Sequence, residues 1–174
     1  MSRQAALGDE PMANKATQLH IRPFQPGDQI HIRCILNSIG WDEHYIVAFK
    51  QAAMHLSQGG NSAVFVVDLQ ALTIGFVFVE HHEWNRLAQT QGLAVDAAYQ
   101  RNSAASALVA RAQEHARACR ARGIYVDIPT TNDGGRRFYE AIGYQVGYIQ
   151  IGSQASGHPS QSADCQSCCN HTPE

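Results

Sequence analysis

"AYQRNSAASALVARAQEHARACRARG", Ala98 to Gly123, is the stretch on which the fold turns. It opens as a polar loop and becomes an alanine-rich run that favours helix. Its late arginines suit the negative end of a helix dipole, and Gly123 stands where a C′ residue belongs. Such a helix begins with unpaired N–H groups and a partial positive charge. The small side chains among Gln100, Arg101, Asn102, Ser103, Ala104 and Ala105 allow an anion such as a phosphate to approach that backbone. The same segment also reads as an ordinary alanine-rich helix behind a polar loop, so its neighbours along the chain must separate the two readings.

Upstream, "LHIRPF", Leu19 to Phe24, alternates apolar and polar side chains before a Pro26-Gly27 turn, as an opening strand does. Asp28 is positioned to cap a helix in which Ile32, Ile35, Leu36 and Ile39 recur at helical spacing up to Gly40. A second helix carries Tyr45, Phe49, Ala52, Ala53 and Leu56 up to Gly59-Gly60. "SAVFVVD", Ser62 to Asp68, and "TIGFVFVE", Thr73 to Glu80, read as an antiparallel hairpin, and Gln89 to Val95 as a further strand. Downstream of the opening stretch, "IYVDI", Ile124 to Ile128, predicts a strand, Asn132 caps a helix through Ile142, and "YQVGYIQI" from Tyr144 predicts a last strand. The order β, two helices, three β, helix, β, helix, β predicts an α+β fold, a mostly antiparallel mixed sheet flanked by about four helices.

At 174 residues the chain suits one domain, here 19–151, behind a leader at 1–18 and before a polar tail at 152–174 with almost no aliphatic residues. Hydrophobic residues at 44% and charged ones at 16% fit a soluble globular protein. The leader lacks the apolar core of a secretory signal and no apolar run is long enough to span a bilayer, so the expected compartment is the cytoplasm, without membrane attachment. Thirteen Lys plus Arg against fifteen Asp plus Glu give a formal charge of −2 and no basic field for nucleic acid.

Two segments invite metal chemistry. "EHHEWNR", Glu80 to Arg86, lacks an i, i+4 histidine pair and lies between strands, which predicts a solvated hairpin turn. Cys165, Cys168, Cys169 and His171 have metal-friendly spacing but no paired second cluster, so a tail without metal is expected and a metal-responsive tail is the alternative. The five cysteines do not resemble a disulfide framework.

"GLAVDAAYQRNSAASALV" followed by "IYVDIPTTNDGGRRFYEAIGY" resembles the GNAT superfamily of acyl-CoA-dependent N-acyltransferases. The family's pyrophosphate loop, Q/R-x-x-G-x-G/A, becomes Gln100-x-x-Ser103-x-Ala105. Its late signature becomes Asn132 with Phe138-Tyr139-Glu140-Ala141-Ile142-Gly143-Tyr144. The resemblance covers roughly Leu19 to Ile151.

It implies acetyl-CoA as cosubstrate, with its pyrophosphate on the N–H groups of Arg101 to Ala105 after Gln100. The pantetheine arm would lie along Leu93 and Val95, touching Asn132. Tyr139 would protonate the departing thiolate. The reaction implied is direct attack by a primary amine of a small molecule or peptide, with the Val95 N–H as oxyanion donor. Where relatives carry a glutamate in the fourth strand this chain has Gln89, so Glu80 and Asp127 are the candidate bases. His82 and Glu83 are candidate substrate contacts. Ser103 in place of the first loop glycine is accommodated if its φ is helical, and its hydroxyl adds a donor for phosphate. A non-catalytic acyl-CoA sensor is the alternative from the same residues. A homodimer is compatible with the resemblance.

Overall fold

The β-branched and aromatic runs of the sequence need two covered faces, and helices of opposite placement supply them. The computed structural model describes residues 18–147. In it β1 (Leu19–Pro23) is followed by a 3-10 turn at Pro26–Asp28, α1 (Gln29–Ser38) and α2 (Glu43–Leu56). Then come β2 (Ser62–Leu69), β3 (Leu72–His82), β4 (Leu87–Val95), a 3-10 turn at Ala97–Tyr99, α3 (Ala104–Ala118), β5 (Gly123–Val126) and α4 (Asp133–Ala141). The strands form one sheet in the order β1-β2-β3-β4-β5. The first four are antiparallel neighbours and β5 runs parallel to β4.

Strand alternation divides the core in two. Val64, Val66, Phe76, Phe78 and Ala94 meet Ile32, Ile35, Leu36, Ile46 and Ala53 of α1 and α2 on one face. On the other, Phe65, Val67, Val77, Val79, Ala88 and Val95 meet Ala104, Leu108, Ala112 and Ala116 of α3. The alanines that favoured helix in the sequence therefore also let α3 lie close on the sheet.

The expected elements are present with shifted ends: β3 runs to His82, β4 begins at Leu87, and β5 stops at Val126. Glu83 to Arg86 form the expected hairpin turn, with Trp84 at 85% exposure. The expectation of a last strand from Tyr144 is not met through Gly147, where the chain has no regular structure. The remainder of that segment, the leader to residue 17 and the cysteine tail lie outside the described residues. Among the described residues no helix is long and apolar enough to cross a membrane.

Asp28 also does something other than capping α1. Its carboxylate makes no cap hydrogen bond to that helix. It accepts from Arg22 Nη1 and Nη2, each at 2.8 Å, and from the Gln25 N–H at 2.7 Å. Arg22 Nε reaches Asp68 Oδ2 at 2.7 Å, and the Thr73 hydroxyl donates to Asp68 Oδ1 at 2.7 Å. This network ties the first strand to the turn ahead of α1 and to the β2–β3 hairpin. Burial alone would raise the Asp28 pKa, but the hydrogen bonds from Arg22 and Gln25 outweigh it and hold the carboxyl below its ordinary range.

Removing Arg22 leaves a buried carboxylate without its cation. Arg22→Ala is expected to lower unfolding stability by about 3 kcal/mol, read from the urea midpoint at neutral pH. Because the folded-state pKa of Asp28 is depressed, its contribution is fully present above about pH 4 and is lost as the pH falls through the folded value. The acid limb of the stability curve should flatten in the variant. A midpoint unchanged at pH 7 would show the network to be an ornament of the surface.

Candidate active site

The site begins with a pairing fault in β4. Phe78 of β3 faces Gly92 and Val79 faces Thr90, so Gln91 is an extra residue in β4 without a partner across the pair. A bulge of this kind bends its strand and reverses the face that later residues present. Parallel pairing with β5 covers only Leu87 to Thr90 against Gly123 to Val126. β5 ends at Val126, so from Gln91 onward no β5 residue pairs with β4 and that edge of the strand is left open.

The main-chain direction beyond the bulge follows from alternation. The Asp96 N–H donates to the Ile74 carbonyl of β3 at 2.8 Å, so the N–H and C=O groups of Val95 and Leu93 turn away from β3, toward the open edge. The Val95 carbonyl there accepts from Gln100 Nε2 at 3.3 Å. Leu93 and Val95 thus offer polar main chain to an extended ligand, and Gln100 ties this edge to the loop that follows.

That loop carries left-handed backbone at Arg101 (φ 63°) and at Ser103 (φ 70°), with Asn102 between them. Alternating handedness aims successive N–H groups into one concavity, an arrangement that binds anions. The Asn102 Oδ1 accepts the Ala104 N–H at 3.3 Å. The first bond within α3 is from the Ala107 N–H to the Ser103 carbonyl at 3.0 Å, so the amides of Ala105 and Ser106 precede any intrahelical partner. Arg101, Asn102 and Ser103 are exposed while Ala104 is buried against the sheet. The condition of a helical φ at Ser103 is not met. The turn from β4 into α3 requires a left-handed residue at the N-cap, which is why glycine suits the position and a Cβ strains it.

On the α2 side of the sheet, Glu80, Gln89 and Tyr125 occupy one row, in register across β3, β4 and β5. Gln89 Nε2 donates to Asp127 Oδ2 at 2.9 Å, and its Oε1 lies 3.3 Å from His82 Nε2. Gln91 Nε2 donates to Glu80. Burial raises the Tyr125 phenol above its ordinary pKa, and the charges of Asp127 and Glu80 add to this. The structure therefore brings His82, Glu80 and Asp127 together with two residues outside the expected site, Gln91 and Tyr125. Glu83 instead accepts from Asn61 Nδ2 at 2.6 Å at the hairpin end. Beside the row, Phe49 of α2 lies against Gly92, where an added Cβ would stand 2.8 Å from Phe49 Cε1.

Past β5, Asn132 caps α4 by accepting the Gly135 N–H at 2.8 Å. This leaves its amide NH2 as the group that can turn to a ligand. Tyr139 is buried, edge-on to Phe138 at 5.0 Å and to Tyr144 at 5.1 Å between centroids. Burial and the neighbouring Tyr144 push its phenol well up, so it keeps its proton at neutral pH. Among the described residues no group of three or more His, Cys, Asp or Glu side chains could hold a metal ion.

A sheet with a bulge in its fourth strand, an unpaired edge beyond it and an amide concavity at the next helix start is an arrangement that can take an extended, phosphate-bearing ligand. The family model described as acetyltransferase (GNAT) domain matches residues 60–146, half of the chain. This chain belongs to the GNAT acetyltransferase family. No curated protein matches it by sequence. Among solved structures, the aminoglycoside N-acetyltransferase AAC(6')-Iy in complex with CoA is similar at a TM-score of 0.70 and 18% identity, over 82% of this chain and 98% of that one. The PaiA N-acetyltransferase of Thermoplasma acidophilum in complex with coenzyme A is similar at 0.66 and 16%, over 77% and 94%. A transcriptional regulator from Bacillus halodurans C-125 is similar at 0.66 and 17%, over 79% and 99%.

The strain at Ser103 is measurable. Ser103→Gly removes a left-handed Cβ penalty of about 1–2 kcal/mol and restores about 0.5–1 kcal/mol of unfolded-state freedom. The expected result is a stabilisation of roughly 0.5–1 kcal/mol in chemical denaturation, the difference of those two effects. A destabilised glycine variant would mean that the serine hydroxyl holds the loop.

Proposed function

We propose that this chain transfers the acetyl group of acetyl-CoA to a primary amine of a small molecule or peptide, by direct attack in a ternary complex. The observation that carries the reading is the open edge at Leu93 and Val95, continuous with the amide concavity at Arg101 to Ala105. The first matches the peptide-like pantetheine arm and the second a pyrophosphate. The likeness of the fold to two CoA-bound acetyltransferases supports the choice of ligand.

Acetyl-CoA supplies the activated acyl group as a thioester. The chain supplies alignment and proton handling. The Val95 N–H, on the open edge, is a donor for the carbonyl oxygen as it takes on charge. Glu80 and Asp127, on the α2 face of the sheet, are the carboxylates that take the proton of the acceptor ammonium, directly or through water. The amine nitrogen forms the new bond to the acyl carbon and the carbon–sulfur bond breaks; Tyr139 gives its proton to the thiolate, and the second proton that the nitrogen sheds returns through water to Tyr139. Asn132 would contact the pantetheine through its free amide NH2. Nothing observed favours a non-catalytic sensor over this reading.

Acetyl-CoA is expected to raise the melting temperature, and Ser103→Glu to abolish the shift by setting a carboxylate in the phosphate concavity. Tyr139→Phe keeps the ring contacts and removes the proton. It should keep acetyl-CoA affinity and lose about ten- to a thousandfold in turnover, measured as thiol release. Full turnover in Tyr139→Phe would remove the acid role, and loss of binding together with turnover would make the tyrosine structural.

A further inference from the structure

Beside the bulge lies a cavity of about 240 Å³ lined by Ala48, Phe49, Ala52, Phe78 and Gln91. Four of these five side chains are apolar. The polar one, Gln91, spends an amide N–H on Glu80. Glu80 and Phe78 are two residues apart in β3 and share a face, so the carboxylate stands at the rim of an apolar recess. Among the described residues Glu80 makes no ion pair. An apolar cavity of about 150 Å³ holds benzene, so this one has room for an aromatic ring.

On the acetyltransferase reading, on which this rests, we infer that the acceptor is a primary amine on an apolar arm of aromatic size. The ring lies against Phe49 and Phe78, and the ammonium is held by Glu80, which Gln91 fixes at the cavity rim. A sugar or polyamine would place hydroxyls or further ammonium groups against Ala48, Ala52 and the two phenylalanines, where they would lose water and gain no partner. An apolar ring loses nothing there. Gly92 belongs to the same device, because its missing side chain lets Phe49 lie down against β4 as a wall of the recess. Gln91 is a positioning residue, acting through the Glu80 carboxylate.

Trp41 packs edge-on to Phe49 with centroids 5.0 Å apart, so its emission reports on the recess. In a Trp84→Phe background it is the remaining indole of the chain. The full chain with CoA bound is titrated with 2-phenylethylamine, 2-phenylethanol, putrescine and kanamycin, and thiol release from acetyl-CoA is measured with the three amines. The inference requires kcat/KM for 2-phenylethylamine at least tenfold above those of putrescine and kanamycin. Ala52→Leu and Ala48→Leu, each narrowing the recess, should both weaken 2-phenylethylamine about tenfold while the acetyl-CoA melting shift persists. Glu80→Gln should weaken 2-phenylethylamine about tenfold and leave 2-phenylethanol unchanged, a distinction that a merely structural glutamate would not produce. Preference for putrescine or kanamycin, or unchanged titrations in both leucine variants, overturns the inference. A Trp41 response to 2-phenylethylamine without thiol release from any amine supports the ligand assignment and sinks the transferase reading instead.

Discussion

One surplus residue in β4 governs the rest of the molecule. With Gln91 inserted, the strand cannot remain in step with both neighbours. It keeps β3 along its whole length and gives up β5 after Thr90. Without β5 beside them Leu93 and Val95 have one main-chain edge open, and the change of parity adds Gly92 to the α2 face beside Gln91, so that Gln91 reaches Glu80 and Gly92 meets Phe49. On the proposed function, the acyl-donor side and the acceptor side of the site are two results of the same irregularity. They need no separate elements to line them up.

The loop after β4 carries backbone strain. Left-handed residues at Arg101 and Ser103 turn the chain sharply enough that α3 starts directly behind the open edge. The Gln100 amide bonded to the Val95 carbonyl couples the two. The small residues of α3 serve packing, and on the proposed function they also leave room for a phosphate. Ala104 is buried against the sheet, so the helix start is pressed onto the core and its amides are held in place before any ligand arrives. Such preorganisation is what an electrostatic site requires to act without rearranging.

The fold was legible because its elements are strongly periodic. The two apolar helices, the β2–β3 hairpin and the alanine-rich α3 each carry their own signal, and a single misjudged end changes little. The site was less legible, for a reason of parity. Strict alternation from Gln89 would have put Gln89, Gln91, Leu93 and Val95 on one face, whereas the bulge sends Leu93 and Val95 to the α3 side. The row of Glu80, Gln89 and Tyr125 lies on the hairpin side of the bulge and Gln91 keeps the face that alternation gives it; what cannot be read without the shift is that Leu93 and Val95 leave this face and Gly92 joins it. The adjacent Gln91-Gly92 pair was the available hint, since a glycine inside a strand often marks a bulge or a close approach. Ser103 illustrates a different limit. The backbone sign is imposed by the turn, and a serine does not declare it. Asp28 was expected as a helix cap because its partners Arg22 and Asp68 are brought together only by sheet pairing.

The bulge also bears on how this chain can change over time. Point substitutions along β4 act one side chain at a time, and most would leave the site recognisable. Loss of the single codon for Gln91 would be of another order. β4 could then stay in step with its neighbours and every remaining side chain would keep its face, but the opening at Leu93 and Val95 would have no cause and Glu80 would lose the amide that Gln91 gives it. The length of β4 is therefore under a tighter restriction than its composition. A lineage carrying this fold can exchange the residues of that strand far more freely than it can add or remove one.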